Sequence, residues 1–348
     1  MDVRLSPEQV ALRDSAAQVV GRLGPKGVAA LDDAERASKL DAAVDAAGWR
    51  ELRAPSDEGS PWASAVEVSL VAEELGRGLA DTAFLGPTLA ADLRRRAGAP
   101  AAGAPETVLL TADLSAVAWV GDEGVPPQAV AVDARGASHA LVLLQGAGGA
   151  TLGAVALAGG RPGGVDLTRP SLGGAFAAPV SPVEGQGRPL SRDDLAHWHG
   201  LGLATACGDL VGVMRGALTL AVDYARARRQ YDTPIGSFQA VQHLLADALT
   251  VMEGSRSIAL HAAWAVDALD GHDALAAASA AKAYCTRAAR TVCETAVQVH
   301  GGIGNTWECL AHVFLRRALL SGEVLGGIGA SLARVLTAHG IEDADGLR

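Results

Sequence analysis

Apolar residues recur at helical spacing through the first quarter of the chain. Ser6, Pro7 and Gln9 have the order of a capped helix start, and the apolar side chains between 10 and 23 then fall on one face. The same spacing predicts two more helices, at 40–47 and 66–79, the first of them ending before Gly48. The pattern therefore predicts a helical N-terminal domain over residues 1–102.

The pattern changes between residues 103 and 190. Short apolar runs at 108–110, 129–132 and 140–144 alternate with turns rich in glycine and proline. These runs are too short for helices and are bounded as strands are, which predicts a small β domain. The glycine and alanine content leaves a flexible segment as the alternative, but the valine- and leucine-rich runs favour a folded one.

Long helical patterns return from residue 192 onward. Apolar residues repeat at helical spacing over 209–228, 237–269 and 273–300. The predicted fold class is therefore mainly α: an N-terminal helical domain, a small middle β domain at 103–190 and a C-terminal four-helix bundle at 191–348.

Composition narrows the classes of partner and the compartment. Hydrophobic residues make up 49% of the chain but aromatic residues only 4%, so the core is built from Ala, Leu and Val, which suits close-packed helices. The net charge of -10 argues against nucleic acid or an anionic membrane as the main partner, because both attract clustered Lys and Arg. Acids near the N-terminus, glycine interruptions of the apolar stretch at 140–160 and the absence of any CxxC pair predict a cytoplasmic protein with buried, reduced cysteines.

The run His197-Trp198-His199 follows two aspartates, a spacing that metal sites also use. The preceding Ser191-Arg192-Asp193-Asp194 is simpler to interpret as a capped helix start with acids in its first turn. We therefore predict no metal site.

Three segments on both sides of the β region carry a family resemblance. They are 68–79, with the core Val-Ala-Glu-Glu-Leu-Gly-Arg; 226–243, which contains Arg-Gln-Tyr-Asp-Thr-Pro-Ile-Gly; and 298–304, Gln-Val-His-Gly-Gly-Ile-Gly, followed by Leu-Arg-Arg-Ala at 315–318. In this order and spacing the chain resembles the acyl-CoA dehydrogenase family. Within that family it is most similar to the non-catalytic, β-type subunit of heteromeric actinobacterial members.

The resemblance implies FAD as a cofactor shared with a partner subunit. In the family, residues at these positions reach across an interface to the FAD of the neighbouring subunit, and cations, amides and glycines suit a dianionic pyrophosphate. Asp232 departs from the family, which usually has Gly there. Taken singly, each residue has an ordinary alternative, such as a cation near a helix end or a glycine that ends a helix. The candidates carried over by position are Arg228, Gln230, Tyr231, Gln239, Gln298, Gly301 and Gly302.

The family's catalytic base is missing from the expected positions. The reaction needs a Glu carboxylate to remove an α-proton while the β-hydrogen leaves as hydride to the flavin. Counted from Gly302, the base position falls on Leu325, and the alternative position on the first long bundle helix falls near Gly202. Glu323 lies two residues from the expected place, which on a helix turns it about 200° away, so a solvated carboxylate is the favoured interpretation.

Other losses lie on the same half of the flavin site. The Thr and Gln that usually follow the base are replaced near Gly327 and Gly329, and no Thr-Glu-Pro…Gly-Ser-Asp motif lies between 108 and 187. The resemblance therefore implies a subunit that lacks its own base and contributes FAD contacts to a catalytic acyl-CoA dehydrogenase subunit, in a heterodimer or α2β2 heterotetramer. The reaction would be α,β-desaturation of an acyl-CoA thioester, with bulky acyl groups such as steroid side chains. The alternatives are a homo-oligomeric dehydrogenase using Glu323 and a flavin-free scaffold subunit.

Overall fold

The computed structural model describes residues 4–341 apart from 122, 147, 175, 177 and 178, so residues 1–3 and 342–348 of the predicted terminal domains lie outside it. The N-terminal part is helical. Ser6 and Gln9 form the predicted capping box, with each backbone N–H donating to the other's side-chain oxygen at 3.0 and 3.2 Å. The sequence pattern missed the last of these helices, whose apolar face is diluted by three arginines near its end. The helices are α1 (Pro7–Leu23), α2 (Ala34–Ala46), α3 (Ala65–Arg77) and α4 (Leu85–Ala97).

A β domain follows, as predicted. Its sheet has the strand order β6-β7-β3-β1-β4-β5-β8, and β2 pairs with β4 beyond the end of β1. The longest pairing is the antiparallel β4–β5 hairpin, whereas β1 and β2 run parallel to β4. The strands are β1 (Glu106–Leu110), β2 (Trp119–Val120), β3 (Val130–Ala131), β4 (His139–Gly146), β5 (Gly149–Ala156), β6 (Arg161–Gly163), β7 (Ser171–Gly173) and β8 (Ser181–Pro182).

The C-terminal part is built on one long central helix. Glycines at a spacing of four let that helix touch α3 backbone to backbone: a Cβ at Gly208, Gly212 or Gly216 would lie 2.6, 1.9 or 2.3 Å from a carbonyl oxygen of α3. The predicted mainly-α fold class, helical, then β, then helical, is confirmed. The elements are α5 (Arg192–Ala227), a hairpin of β9 (Arg229–Gln230) and β10 (Thr233–Pro234), α6 (Gln239–Ala268), α7 (Gly271–His300), α8 (Ala311–Glu323) and α9 (Ile328–Ala338).

Within the part of the chain that the structure describes, two helical stretches are long and apolar enough to cross a membrane by length and composition alone. The first is α5, and 78% of its apolar window is buried inside the protein, as expected of a core helix. The second, Ala311–Ala338, is α8 and α9 together, with a break between them and 33% of its window buried.

A buried network of charges joins the three parts of the chain. Asp209 of α5 accepts hydrogen bonds from Arg317 Nη2 and Ser321 Oγ of α8, both at 2.6 Å. Arg317 Nη1 also donates to the Ala80 carbonyl of the N-terminal part at 2.9 Å and to Thr168 Oγ1 of the β domain at 3.0 Å. Because each charge is paired and hydrogen-bonded, its burial is compensated, and the contacts fix the parts relative to one another.

Candidate functional site: an open bundle end and a closed base position

Three helix ends meet at one end of the C-terminal bundle. The Tyr224 ring in the last turns of α5 stacks on the His300 ring that ends α7, with centroids 4.4 Å apart. The turn before α6 packs on the end of α5, since a Cβ on Gly236 would lie 3.1 Å from the Ala225 carbonyl oxygen. The loop after α5, the first turn of α6 and the last turn of α7 therefore lie side by side. Five of the seven candidate cofactor residues belong to these three segments, and Gly301 and Gly302 lie in the short turn that directly follows α7.

The candidate side chains are exposed and have no partners within the described chain. Arg228, Gln230, Gln239 and Gln298 make no side-chain hydrogen bond or ion pair with any described residue, and Tyr231 is 89% exposed. Gln239 opens the 30-residue helix α6, and no side chain caps that N-terminus. One cation, three amides and the positive end of a helix suit a ligand with a pyrophosphate and ring or ribose hydrogen-bonding groups. The residues present therefore fit the outer half of FAD.

The glycine pair leaves open space at the end of α7. Gly301 has a φ of +63°, which favours glycine, while a Cβ on Gly304 would lie 2.8 Å from the Val297 carbonyl oxygen. Gly302 has neither constraint, and a Cβ there would meet nothing within 4 Å. No contact among the described residues requires glycine at 302. A ligand that approaches the backbone closely at this point would require it.

The departure at Asp232 has a local explanation. Tyr231 and Asp232 form the tip of the β9–β10 hairpin, and both have left-handed backbones, with φ of 49° and 62°. Asp tolerates this conformation better than most residues. Arg229 Nη2 donates to the Asp232 carbonyl at 2.6 Å.

The expected base position is closed. Leu325 is fully buried, and its side chain fills the space beside Gly202: a Cβ on Gly202 would lie 2.1 Å from Leu325 Cδ1 and 3.3 Å from Leu89 Cδ2. The two positions at which the resemblance predicts a carboxylate, Leu325 and Gly202, thus lie side by side, and the Leu325 side chain fills the space between them. Neither position offers a proton acceptor.

Hydrogen bonds from distant elements hold the Leu325 backbone. Its N–H donates to the Leu114 carbonyl of the β domain at 2.7 Å, and its carbonyl accepts from His199 Nε2 at 2.9 Å and Arg334 Nη2 at 3.1 Å. The loop after β1 is therefore bonded directly to the loop after α8.

A buried lysine completes this closure. Lys282 of α7 is fully buried and donates from Nζ to the Val324 carbonyl at 2.5 Å and to the Gly326 carbonyl at 3.4 Å. Burial lowers the pKa of Lys282 to about 8. Burial, with the nearby Arg334 charge, likewise lowers the pKa of His199 to about 4, so this imidazole is neutral at pH 7 and serves as a donor to the Leu325 carbonyl.

Glu323 lies on the other side of the loop. It is exposed, and its carboxylate lies over the start of α9, where a Cβ on Gly327 would be 2.5 Å from Oε2. Helix α8 ends at Glu323, and Leu325 adopts a φ of 62°. The two residues therefore do not lie on one helix, and the predicted rotation of about 200° between them does not occur. The outcome is the same, because Glu323 faces outward while Leu325 faces inward.

The residues that close the predicted base position are not evident from the sequence. The sequence pattern offers His199 only a metal-ligand role beside His197. In the structure His197 Nε2 contacts the Leu269 carbonyl at 3.1 Å. Lys282 sits in the predicted helix among alanines, and its only sequence signal is a charge on an apolar face. Ser191 and Asp194 do form the predicted capped helix start.

Comparison with known proteins agrees with this geometry. The family model "Acyl-CoA dehydrogenase, C-terminal domain" matches residues 202–338. Acyl-CoA dehydrogenase FadE34 of Mycobacterium tuberculosis is 41% identical over 47% of this chain, but that match spans only 22% of FadE34. Acyl-CoA dehydrogenase IpdE2 of the same organism is 27% identical over 91% of this chain and 93% of IpdE2. A chain of the ChsE4–ChsE5 complex from Mycobacterium tuberculosis has a TM-score of 0.79 at 25% identity, covering 99% of this chain and 100% of that one. Over residues 202–338 the sequence is thus similar to the acyl-CoA dehydrogenase C-terminal domain, and along its length the chain is similar to IpdE2 in sequence and to the ChsE4–ChsE5 chain in fold.

Proposed function

We propose that this chain is the non-catalytic subunit of a heteromeric, FAD-dependent acyl-CoA dehydrogenase. One contrast carries the proposal: the candidate cofactor residues at the bundle end are exposed, and among the described residues their side chains have no partners, whereas the predicted base position is filled by buried Leu325. A homo-oligomeric enzyme of this family needs both halves in every chain, while a specialised subunit needs only the half that serves its neighbour.

The chain's own part in the reaction is to bind and orient. When bound, FAD accepts the hydride released from the acyl β-carbon. Arg228 supplies a cation to the pyrophosphate, and Gln230, Gln239 and Gln298 supply amides to its polar outer half, with Gly302 leaving room for close approach. Proton abstraction falls to the partner, because Leu325 and Gly202 have no basic group. The similar ChsE4–ChsE5 structure is a complex of two proteins, which supports a hetero-oligomeric assembly for a chain of this fold.

The decisive experiment compares the chain alone with the chain co-expressed with an acyl-CoA dehydrogenase-like protein that carries Glu at the base position and is encoded beside it. The chain alone is expected to be colourless, and the co-purified complex to show flavin absorbance that acyl-CoA bleaches. Stoichiometric FAD in the lone chain, or a partner that binds flavin and turns over fully without it, contradicts the proposal.

A matched pair of arginines tests the bundle end. Arg226 and Arg228 are both exposed, but Arg226 lies within α5, 3.9 Å from Asp223, whereas Arg228 caps the helix and has no partner within the described residues. Arg228→Ala is expected to lower the flavin content of the purified complex, and Arg226→Ala to leave it unchanged. Equal flavin content in both variants favours the flavin-free scaffold.

A further inference from the structure

A groove with an apolar rim and a polar floor opens beside the glycine turn. It has a volume of about 350 Å³ and is lined by Trp307, His312, Leu315, Arg316 and Leu319, with Val165 of the β domain opposite. Trp307 is 64% exposed, and Val165 and Leu319 are exposed as well. We call this feature the Trp307 groove. Large apolar side chains clustered at an opening mark a surface that another molecule covers.

The floor of the groove holds an imidazole with an unused nitrogen. His312 is only 8% exposed, and its Nε2 has no hydrogen-bond partner among the described residues. Burial, helped by the Arg316 charge, lowers the pKa of His312, while a contact with the Thr306 backbone acts in the opposite direction. A buried ring nitrogen without a partner costs free energy, which a group entering the groove recovers.

Trp307 and Arg316 line the remaining sides of the groove and limit which side chains can bind there. The Trp307 ring meets the His312 ring edge-on at 5.1 Å, and the Arg316 guanidinium lies 6.0 Å from the centroid of the Trp307 ring. Arg316 forms no hydrogen bond or ion pair with the described residues, and no carboxylate lines the groove. Trp and Arg are among the residues that contribute most to binding energy in protein interfaces.

The position of the groove indicates which molecule covers it. Asn305, which also lines the groove, belongs to the same short turn as Gly301 and Gly302, Gly301–Asn305. A subunit whose FAD reaches Gly302 therefore brings its own surface within a few residues' span of the groove.

We infer that the Trp307 groove receives a side chain of the catalytic partner, apolar along its length and ending in a hydroxyl or amide that pairs with His312. The inference rests on the proposed function and adds to it the place and chemistry of the subunit contact. The groove is an anchor for the protein interface, distinct from the residues that face the cofactor.

Two tryptophans of nearly equal exposure give a matched test. Trp62, in the loop before α3, is 65% exposed, against 64% for Trp307. In the complex with the co-expressed catalytic chain, Trp307→Ala is expected to weaken subunit association at least about 30-fold, the scale of an interface anchor, and Trp62→Ala less than about 2-fold. Association is measured by titrating the labelled partner, with thermal melting of each lone variant as the folding control.

Two further variants keep the test decisive if Trp307→Ala does not fold. Leu319→Glu places a charge on the exposed rim without touching the core, and is expected to prevent association. His312→Leu is expected to weaken association about 5-fold through loss of one hydrogen bond, and His312→Gln, which keeps a polar end, by less.

The outcomes separate the groove from the proposed function. If the wild-type complex forms and holds flavin, but Trp307→Ala and Leu319→Glu associate as Trp62→Ala does, the groove inference is wrong and the proposed function stands. If those variants change only the self-association of the lone chain, the groove joins two copies of this chain and the inference is also wrong. If no wild-type complex forms, both fall together.

Discussion

The two regions that the resemblance assigns to the flavin site have opposite physical characters in this chain. At the bundle end, polar side chains are exposed and have no partners among the described residues, and no described contact requires glycine at nearby position 302. At the base position, an apolar side chain is fully buried, and the backbone around it is bonded to the β domain, α5, α7 and α9. The first region contributes little to folding and the second contributes much.

This difference supports the proposal of a specialised subunit over that of a damaged enzyme. Loss of a catalytic carboxylate alone leaves a cavity, whereas here Leu325, Gly202 and Leu89 pack together. The closed region has become part of the core, and substitutions there act on the free energy of unfolding. Substitutions at the bundle end act on cofactor retention instead, and the experiments below separate the two kinds of effect.

The largest effect is expected from restoring the carboxylate. Leu325→Glu buries a charge in packed apolar surroundings and is expected to lower the free energy of unfolding by about 3 kcal/mol or more, against less than about 1.5 kcal/mol for Leu325→Met. Urea unfolding of the two variants measures the difference. A Leu325→Glu chain that is as stable as wild type, or that alone desaturates acyl-CoA, shows that the position is not closed.

Next in size is the effect of the unpaired arginine. Arg228→Ala removes charge-assisted hydrogen bonds to a phosphate and is expected to weaken FAD binding by the complex about 10- to 100-fold, which corresponds to roughly 1.5–3 kcal/mol. The lone chain should unfold within about 0.5 kcal/mol of wild type, because Arg228 is exposed and has no partner in the described chain. Flavin release by dilution and urea unfolding give the two quantities. Loss of stability without loss of flavin reverses the assignment.

A third test uses acid to probe the closed region. The pKa of His199 is lowered to about 4 in the folded chain, from a value near 6.5 in the unfolded chain. Between these two pH values the imidazole is protonated in the unfolded chain and neutral in the folded chain. Stability is therefore lost as the pH falls, by about 2 kcal/mol between pH 7 and pH 5. Between pH 7 and pH 5, His199→Gln is expected to lose about 2 kcal/mol less of its free energy of unfolding than wild type does. Substitution of the exposed His243, as His243→Gln, is expected to leave the pH dependence of stability as in wild type. Identical pH profiles for all three chains contradict burial of this ring.

The smallest effect is expected at Glu323, the acidic residue two positions before Leu325. Glu323→Gln changes an exposed side chain, so complex activity is expected to stay within about 2-fold of wild type and stability within about 0.5 kcal/mol. Steady-state dehydrogenation by the complex measures it. A loss of activity of two orders of magnitude instead identifies Glu323 as the base of a homo-oligomeric enzyme.

Local patterns in the sequence were enough to predict the fold class. The capping box at Ser6, the strand runs between 103 and 190 and the helical patterns on either side depend on residues close together in the chain, and each appears in the structure as expected. The candidate cofactor site and the base position remain predictions from the resemblance. Counting along one segment gave Leu325 as the base position but did not reveal its surroundings.

The closure of the base position was beyond sequence reasoning for a physical reason. His199 and Leu325 are 126 residues apart, and Leu114 reaches Leu325 from a different domain. No periodicity links such positions, and the left-handed backbone at Leu325 is not favoured by a leucine side chain. The Trp307 groove was missed similarly, because its walls come from a β-domain loop, a short turn and α8.

The charge network around Asp209 has a consequence for how a second subunit would associate. Since Arg317 bonds at once to α5, to the N-terminal part and to the β domain, none of these can swing without stranding a buried charge. The free chain thus presents a preformed surface, and association with a partner costs little conformational entropy. Docking should be a single concentration-dependent step, with no slow hinge movement before it.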